Sequence, residues 1–240
     1  MSSPAAWYAL RPGGWRDYIT LLHVPYTLWH LSYVVIGAAL APQWLPGRLG
    51  TTLVAFAFAL GIGAHALDEL RGRPLATRIP DRVLWLLAAG SISIAIAIGV
   101  VAAIVWWPWL LAFVAFGGFI VVAYNLELFG GAFHSDLWFA VAWGSFPLLT
   151  AYAAAAETIT RAAIAAAVFA ALYSLAQRRL STPVRMVRRR VLSVSGSLEL
   201  DSGEVRPITD ALLTRGPEEA LRALTAATIA LAVALVLLRI

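Results

Sequence analysis

The sequence predicts an all-α fold, a polytopic membrane helix bundle of about seven transmembrane helices, and three observations predict it. Of the 240 residues, 61% are hydrophobic and 13% charged. Ordinary soluble domains carry about 25% charged residues, so this chain cannot cover its own apolar surface in water. The apolar residues fall in seven runs long enough to cross a hydrocarbon core of about 30 Å. The basic residues, all 18 of them arginine, gather between alternate runs.

The predicted spans are residues 18–41, 50–68, 84–106, 108–125, 135–156, 159–176 and 219–239. Pro42, Pro46 and Gly47 separate the first two. Trp106, Trp107 and Pro108 mark a tight interfacial hairpin between the third and fourth, since tryptophan favours the headgroup region and proline can start a helix. Residues 1–176 thus form a transmembrane bundle with a motif loop at 70–83. Residues 177–217 form a basic loop, in which Val191 to Leu200 turns back at Asp201 to Glu204 as a small hairpin. Residues 218–240 supply the final helix. In this scheme 15 arginines lie on one side, and Arg48, Arg161 and Arg239 on the other. The positive-inside rule then places the N-terminus and loops 70–83, 126–134 and 177–217 in the cytoplasm, and the C-terminus outside, across an inner or plasma membrane. Arg11 and Arg16 precede a span too long for a signal peptide, so the N-terminal segment is expected to stay attached.

Composition also excludes chemistry. Without cysteine there are no disulfides, thiolate metal sites or thiol nucleophiles. Without lysine there is no Schiff base, and so no retinal. No nucleic-acid partner is expected, and membrane lipids are. The arginine run from Arg178 to Arg190 also suits anionic headgroups, at about 1 kcal/mol per residue near the surface.

Three polar clusters sit at or beside membrane depth, where ionisable groups are costly and point to function. His65, Asp68 and Glu69 fall on one helical face at the end of span two, followed by Arg71, Arg73 and Arg78; the plainer account is an i,i+4 pair of Glu69 with Arg73. Tyr124, Asn125, Glu127, His134 and Asp136 occupy a glycine-containing connector with no arginine of its own, either a solvated turn or a set of carboxylates meeting a cation. His23, Tyr26, Thr27, His30 and Tyr33 form a stripe within span one, either hydrogen-bonded core residues or one wall of a buried pocket. Together, His65, Asp68, Glu69, His134 and Asp136 also leave open an unrelated metal-dependent membrane enzyme.

The run Ala64 to Glu69 with Arg73-Pro74-Leu75, and Gln177 to Val184 with its Ser-Thr-Pro-Val ending, resemble the two aspartate motifs of the UbiA superfamily of intramembrane prenyltransferases. The resemblance covers roughly residues 15–190. It implies a site for an isoprenoid diphosphate facing the cytoplasm. Asp68 and Glu69 would bind Mg²⁺, and His65 or His134 would act as general base or as donor to the diphosphate. Arg71, Arg73, Arg78, Arg178 and Arg179 would hold phosphate oxygens, assisted by Asn125. Tyr26, His30 and Tyr124, with Tyr33, Trp143 and Tyr173, would line the pocket and stabilise a carbocation. The second motif's aspartates are replaced by Gln177, Arg178 and Arg179. Two functions therefore remain open: prenyl transfer to, or cyclisation of, a lipophilic substrate, and a non-catalytic isoprenoid- or lipid-binding or assembly protein.

Overall fold

The computed structural model describes residues 6–240. The described residues are all-α apart from one small hairpin. The helices are α1 (Trp15–Leu21), α2 (Val24–Leu40), α3 (Pro46–Leu70), α4 (Asp81–Val105), α5 (Leu110–Asn125), α6 (Asp136–Ala156), α7 (Arg161–Arg190) and α8 (Asp210–Leu237). Strands β1 (Ser197–Glu199) and β2 (Val205–Pro207) pair antiparallel, with Leu198 opposite Arg206. Among the described residues, α3, α4, α6 and α8 are long and apolar enough to cross a membrane; α1 and α2, bent by 41°, make a fifth crossing if taken as one broken span.

Several boundaries differ from those expected, each for a local reason. The run 177–190 is not a loop but the second half of α7. Arginine, glutamine and leucine are good helix formers, and Gln177, Ser181, Val184 and Val187 form a buried stripe that continues the helix past Pro183. The last helix begins at Asp210, where the Thr209 hydroxyl accepts the Leu212 N–H at 3.1 Å, and a buried stripe from Thr214 through Glu218 to Leu221 matches that of α7. Only three residues of each strand pair, so the hairpin is shorter than predicted. Helix α5 has 16 residues and stops where Glu127 turns to φ 51°.

Helix α2 packs between α6 and α8, α7 packs on α6 and α8, and α4 packs on α3 and α5. Glycines permit the closest approaches. A Cβ on Gly37 of α2 would run into the carbonyl of Leu148 on α6, and one on Gly144 of α6 would lie 2.5 Å from the carbonyl oxygen of Ala170 on α7. Small residues at such crossings let backbones pack where lipid supplies no hydrophobic drive. Beside them lie Trp29, Tyr33 and Leu148, all fully buried. The Tyr33 hydroxyl accepts from Trp29 Nε1 at 2.7 Å and from Ser174 Oγ at 3.1 Å, which makes it a core residue instead of a pocket wall.

Three departures from α-helical regularity aim side chains at one place. His23 separates α1 from α2 in a left-handed conformation (φ 44°, ψ 46°). Residues Ala57–Ala64 of α3 and Ala140–Ser145 of α6 are π-helical, a form that rotates the residues beyond it and often accompanies functional sites.

Candidate functional site

A polar cavity of about 500 Å³ opens where the N-terminal segment, α2, α3, α5, α6 and α7 converge. Its construction follows from the helix breaks. Pro147 has no N–H to give the Trp143 carbonyl four residues earlier, and His30 Nδ1 reaches across from α2 to donate to that oxygen at 2.8 Å. At the α1–α2 break the Thr27 hydroxyl donates to Leu22 O at 2.6 Å, and the same oxygen lies 3.2 Å from His65 Nε2. His23 stacks on His65 with ring centroids 4.2 Å apart, and its Nδ1 meets the Tyr8 hydroxyl at 2.8 Å. Burial pushes the Tyr8 phenol up, so it is a neutral hydroxyl at that contact.

Of the residues predicted for a site, Tyr26, His30, His65, Asp68, Arg71, Tyr124, Asn125, His134 and Arg178 all line this cavity. Four others do not. Glu69 is 1% exposed and accepts from Leu75 N at 3.0 Å and from Thr77 N and Thr77 Oγ1 at 2.8 Å each, so its carboxylate fixes the 71–77 loop. Arg73 donates to the carbonyls of Thr77 and Ile79 and pairs with Asp81. Arg78 is exposed, with its backbone N–H bound to Asp17 at 2.9 Å. Arg179 points outward, 72% exposed, with Asp136 at 3.3 Å. Tyr173 turns to α8, where it donates to Leu224 O at 3.2 Å.

Five arginines line the cavity: Arg71, Arg178, Arg185, Arg189 and Arg190. Arg178 donates to Asp136 at 2.5 Å and to the Tyr124 hydroxyl at 2.7 Å, which holds it against the aromatic floor, 5.1 Å above the Phe139 ring. Arg71 pairs with Glu127 at 2.5 Å, and the guanidinium holds that carboxyl below the usual carboxylate range. Glu218, also on the wall, accepts from Nε and Nη2 of Arg188, at 2.5 and 2.8 Å. Among the described residues Asp68 forms no ion pair.

This charge balance decides what the cavity can hold. With Glu69 committed to the loop, Asp68 is the one carboxylate of the pair left facing the cavity, whereas Mg²⁺ is held by one or two carboxylates together with phosphate oxygens. Among the described residues, no three histidines or carboxylates are grouped as metal ligands. The expected Asp68–Glu69 metal pair does not fit this donor set. Arginine binds phosphate bidentately without a metal, and the lining favours an anion.

Sequence reasoning missed Tyr8, Gln177, Arg185, Arg189, Arg190 and Glu218 as lining residues. Arg178, Arg185 and Arg189 stand seven and four residues apart, a helical spacing hidden by reading 177–190 as a loop. No such signal existed for Tyr8, which tertiary folding alone brings to His23. Comparison with protein-family models, with curated proteins and with solved structures finds no match for the chain.

Proposed function

We propose that the chain is a UbiA-like intramembrane protein that binds an isoprenoid diphosphate in the polar cavity and transfers or cyclises the prenyl group. The carrying observation is the convergence of Arg178, Arg185 and Arg190 with His65, Asp68 and His134 on one cavity floored by Tyr124, Phe139 and Trp143. The arginines stabilise the departing diphosphate, and the aromatic faces stabilise the allylic cation while excluding water. Trp143 is shared with a second, apolar cavity of about 110 Å³ lined by Phe56, Ile92, Phe113 and Phe146, which suits the hydrocarbon chain. In this reading α1 with α2, and α3 through α8, make seven crossings, with the cavity toward the cytoplasm.

The second reading, a binding or assembly protein without turnover, is favoured by the commitment of Glu69 to its loop. One experiment separates the two: mass spectrometry of purified protein and membranes incubated with isoprenyl diphosphates of several chain lengths, with Mg²⁺ and with chelator. Prenylated or cyclised product supports catalysis. Tight retention of unchanged diphosphate supports the binding protein, and neither result would remove the isoprenoid proposal.

A further inference from the structure

All four histidines of the chain line the polar cavity, and for three the protein fixes which nitrogen carries the proton. A carbonyl oxygen only accepts, so in the neutral ring His30 Nδ1–H donates to Trp143 O at 2.8 Å, and His134 Nδ1–H to Tyr124 O at 3.1 Å. Thr27 has one hydroxyl proton and gives it to Leu22 O, so it accepts from His65 Nε2–H. The second nitrogen of each ring is therefore an acceptor. None of His30 Nε2, His65 Nδ1 and His134 Nε2 has a protein donor among the described residues. In the walls of the same cavity the acceptor Gln177 Oε1, the donor Trp7 Nε1 and His23 Nε2 are also buried without a hydrogen-bond partner.

The three unpartnered histidine acceptors, with Gln177 Oε1, call for donors, while the arginines call for an anion. A cationic donor is unsuited, because five arginines against three carboxylates line the cavity and would repel it. Hydroxyl groups donate without charge. We infer that the cavity takes a phosphorylated polyol, its phosphate on Arg178, Arg185 and Arg190 and its hydroxyls on the acceptor nitrogens of His30, His65 and His134. This deepens the reading above by naming a second ligand for the same cavity, and it rests on that reading only in placing both ligands on one set of arginines.

The test is calorimetric titration of the full chain in a sugar-free detergent with inorganic phosphate, myo-inositol, myo-inositol 1-phosphate and farnesyl diphosphate, and with phosphatidylinositol in nanodiscs. Inositol phosphate should bind at least about tenfold more tightly than inorganic phosphate, since each neutral hydrogen bond contributes roughly twofold to tenfold in affinity. Stronger binding of phosphatidylinositol would identify a lipid headgroup as the source of the polyol phosphate. His65→Phe and His134→Phe keep the ring stacks on His23 and Tyr124, and each should lower the preference about threefold to tenfold while leaving inorganic phosphate affinity intact. Equal affinity for the two phosphates, binding of neither, or full preference in both variants would overturn the inference. Farnesyl diphosphate binding without polyol preference sinks this inference alone. The reverse result sinks the isoprenoid reading alone.

Discussion

Asp68 and Glu69 are adjacent on α3, yet one carboxylate lines the cavity and the other is enclosed by three hydrogen bonds from the 75–77 loop. Glu69→Gln places an amide donor against backbone and hydroxyl donors, and should lower stability by about 2–3 kcal/mol, measured by unfolding in mixed micelles. Asp68→Asn should leave stability within about 1 kcal/mol, because no ion pair among the described residues is lost. In an arginine-held site the same change should leave farnesyl diphosphate binding equal or tighter, with or without chelator. Binding at least tenfold weaker and dependent on Mg²⁺ would restore the metal. Glu127 makes a pH prediction. Its folded pKa is depressed by Arg71, so its contribution is present above the unfolded value, near 4.5, and is lost as pH falls through the lower folded value. Both partners are more than 40% exposed, which limits the effect to a few tenths of a kcal/mol. Wild type and Glu127→Gln should therefore differ slightly at pH 7 and converge as pH falls below the usual carboxylate range; a difference that grows on acidification would contradict the pairing.

At the scale of elements, close helix approach determines which residues meet. Gly37 and Gly144 stand where a methyl group would collide with backbone carbonyls, while Gly50 of α3 has nothing within 4 Å of its added Cβ. Gly37→Ala should cost about 3 kcal/mol or more, because backbone cannot yield as a flexible side chain can. Gly50→Ala should be neutral or stabilising by up to about 1 kcal/mol. Thermal unfolding of the two variants in one detergent makes the comparison. Equal melting temperatures would show that the α2–α6 contact is looser than described. The π-helical stretches belong to the same scale. That of α6, together with Pro147, leaves the Trp143 carbonyl for His30, so an irregular helix supports the cavity where a regular one would have closed its own hydrogen bonds.

For the whole molecule, the arginine distribution predicts that the 191–209 hairpin faces the cytoplasm and the 41–45 turn the opposite side. The natural chain contains no cysteine, and Ser193 and Gln43 are both exposed, so Ser193→Cys and Gln43→Cys supply clean reporters. In intact cells an impermeant maleimide should label Gln43→Cys and spare Ser193→Cys. The opposite pattern would invert the topology and place the cavity on the outer face.

The sequence by itself determined the membrane class, the all-α character and the approximate positions of the apolar helices, because apolar length and charge are properties of local runs. It also marked most of the cavity's inner wall, His30, His65, Asp68, Tyr124, His134 and Arg178, since polar residues at membrane depth stand out against an apolar background. Only the tertiary structure decided that Glu69, Arg73, Arg78 and Arg179 do not line the cavity, that 177–190 is helical, and that Tyr8 reaches His23. Those outcomes depend on partners distant in the chain: a loop that folds back onto Glu69, a buried face that sustains α7, and an N-terminal segment carried to the α1–α2 break. A hydrogen bond formed across such distances has no periodicity, spacing or composition by which a linear sequence could announce it.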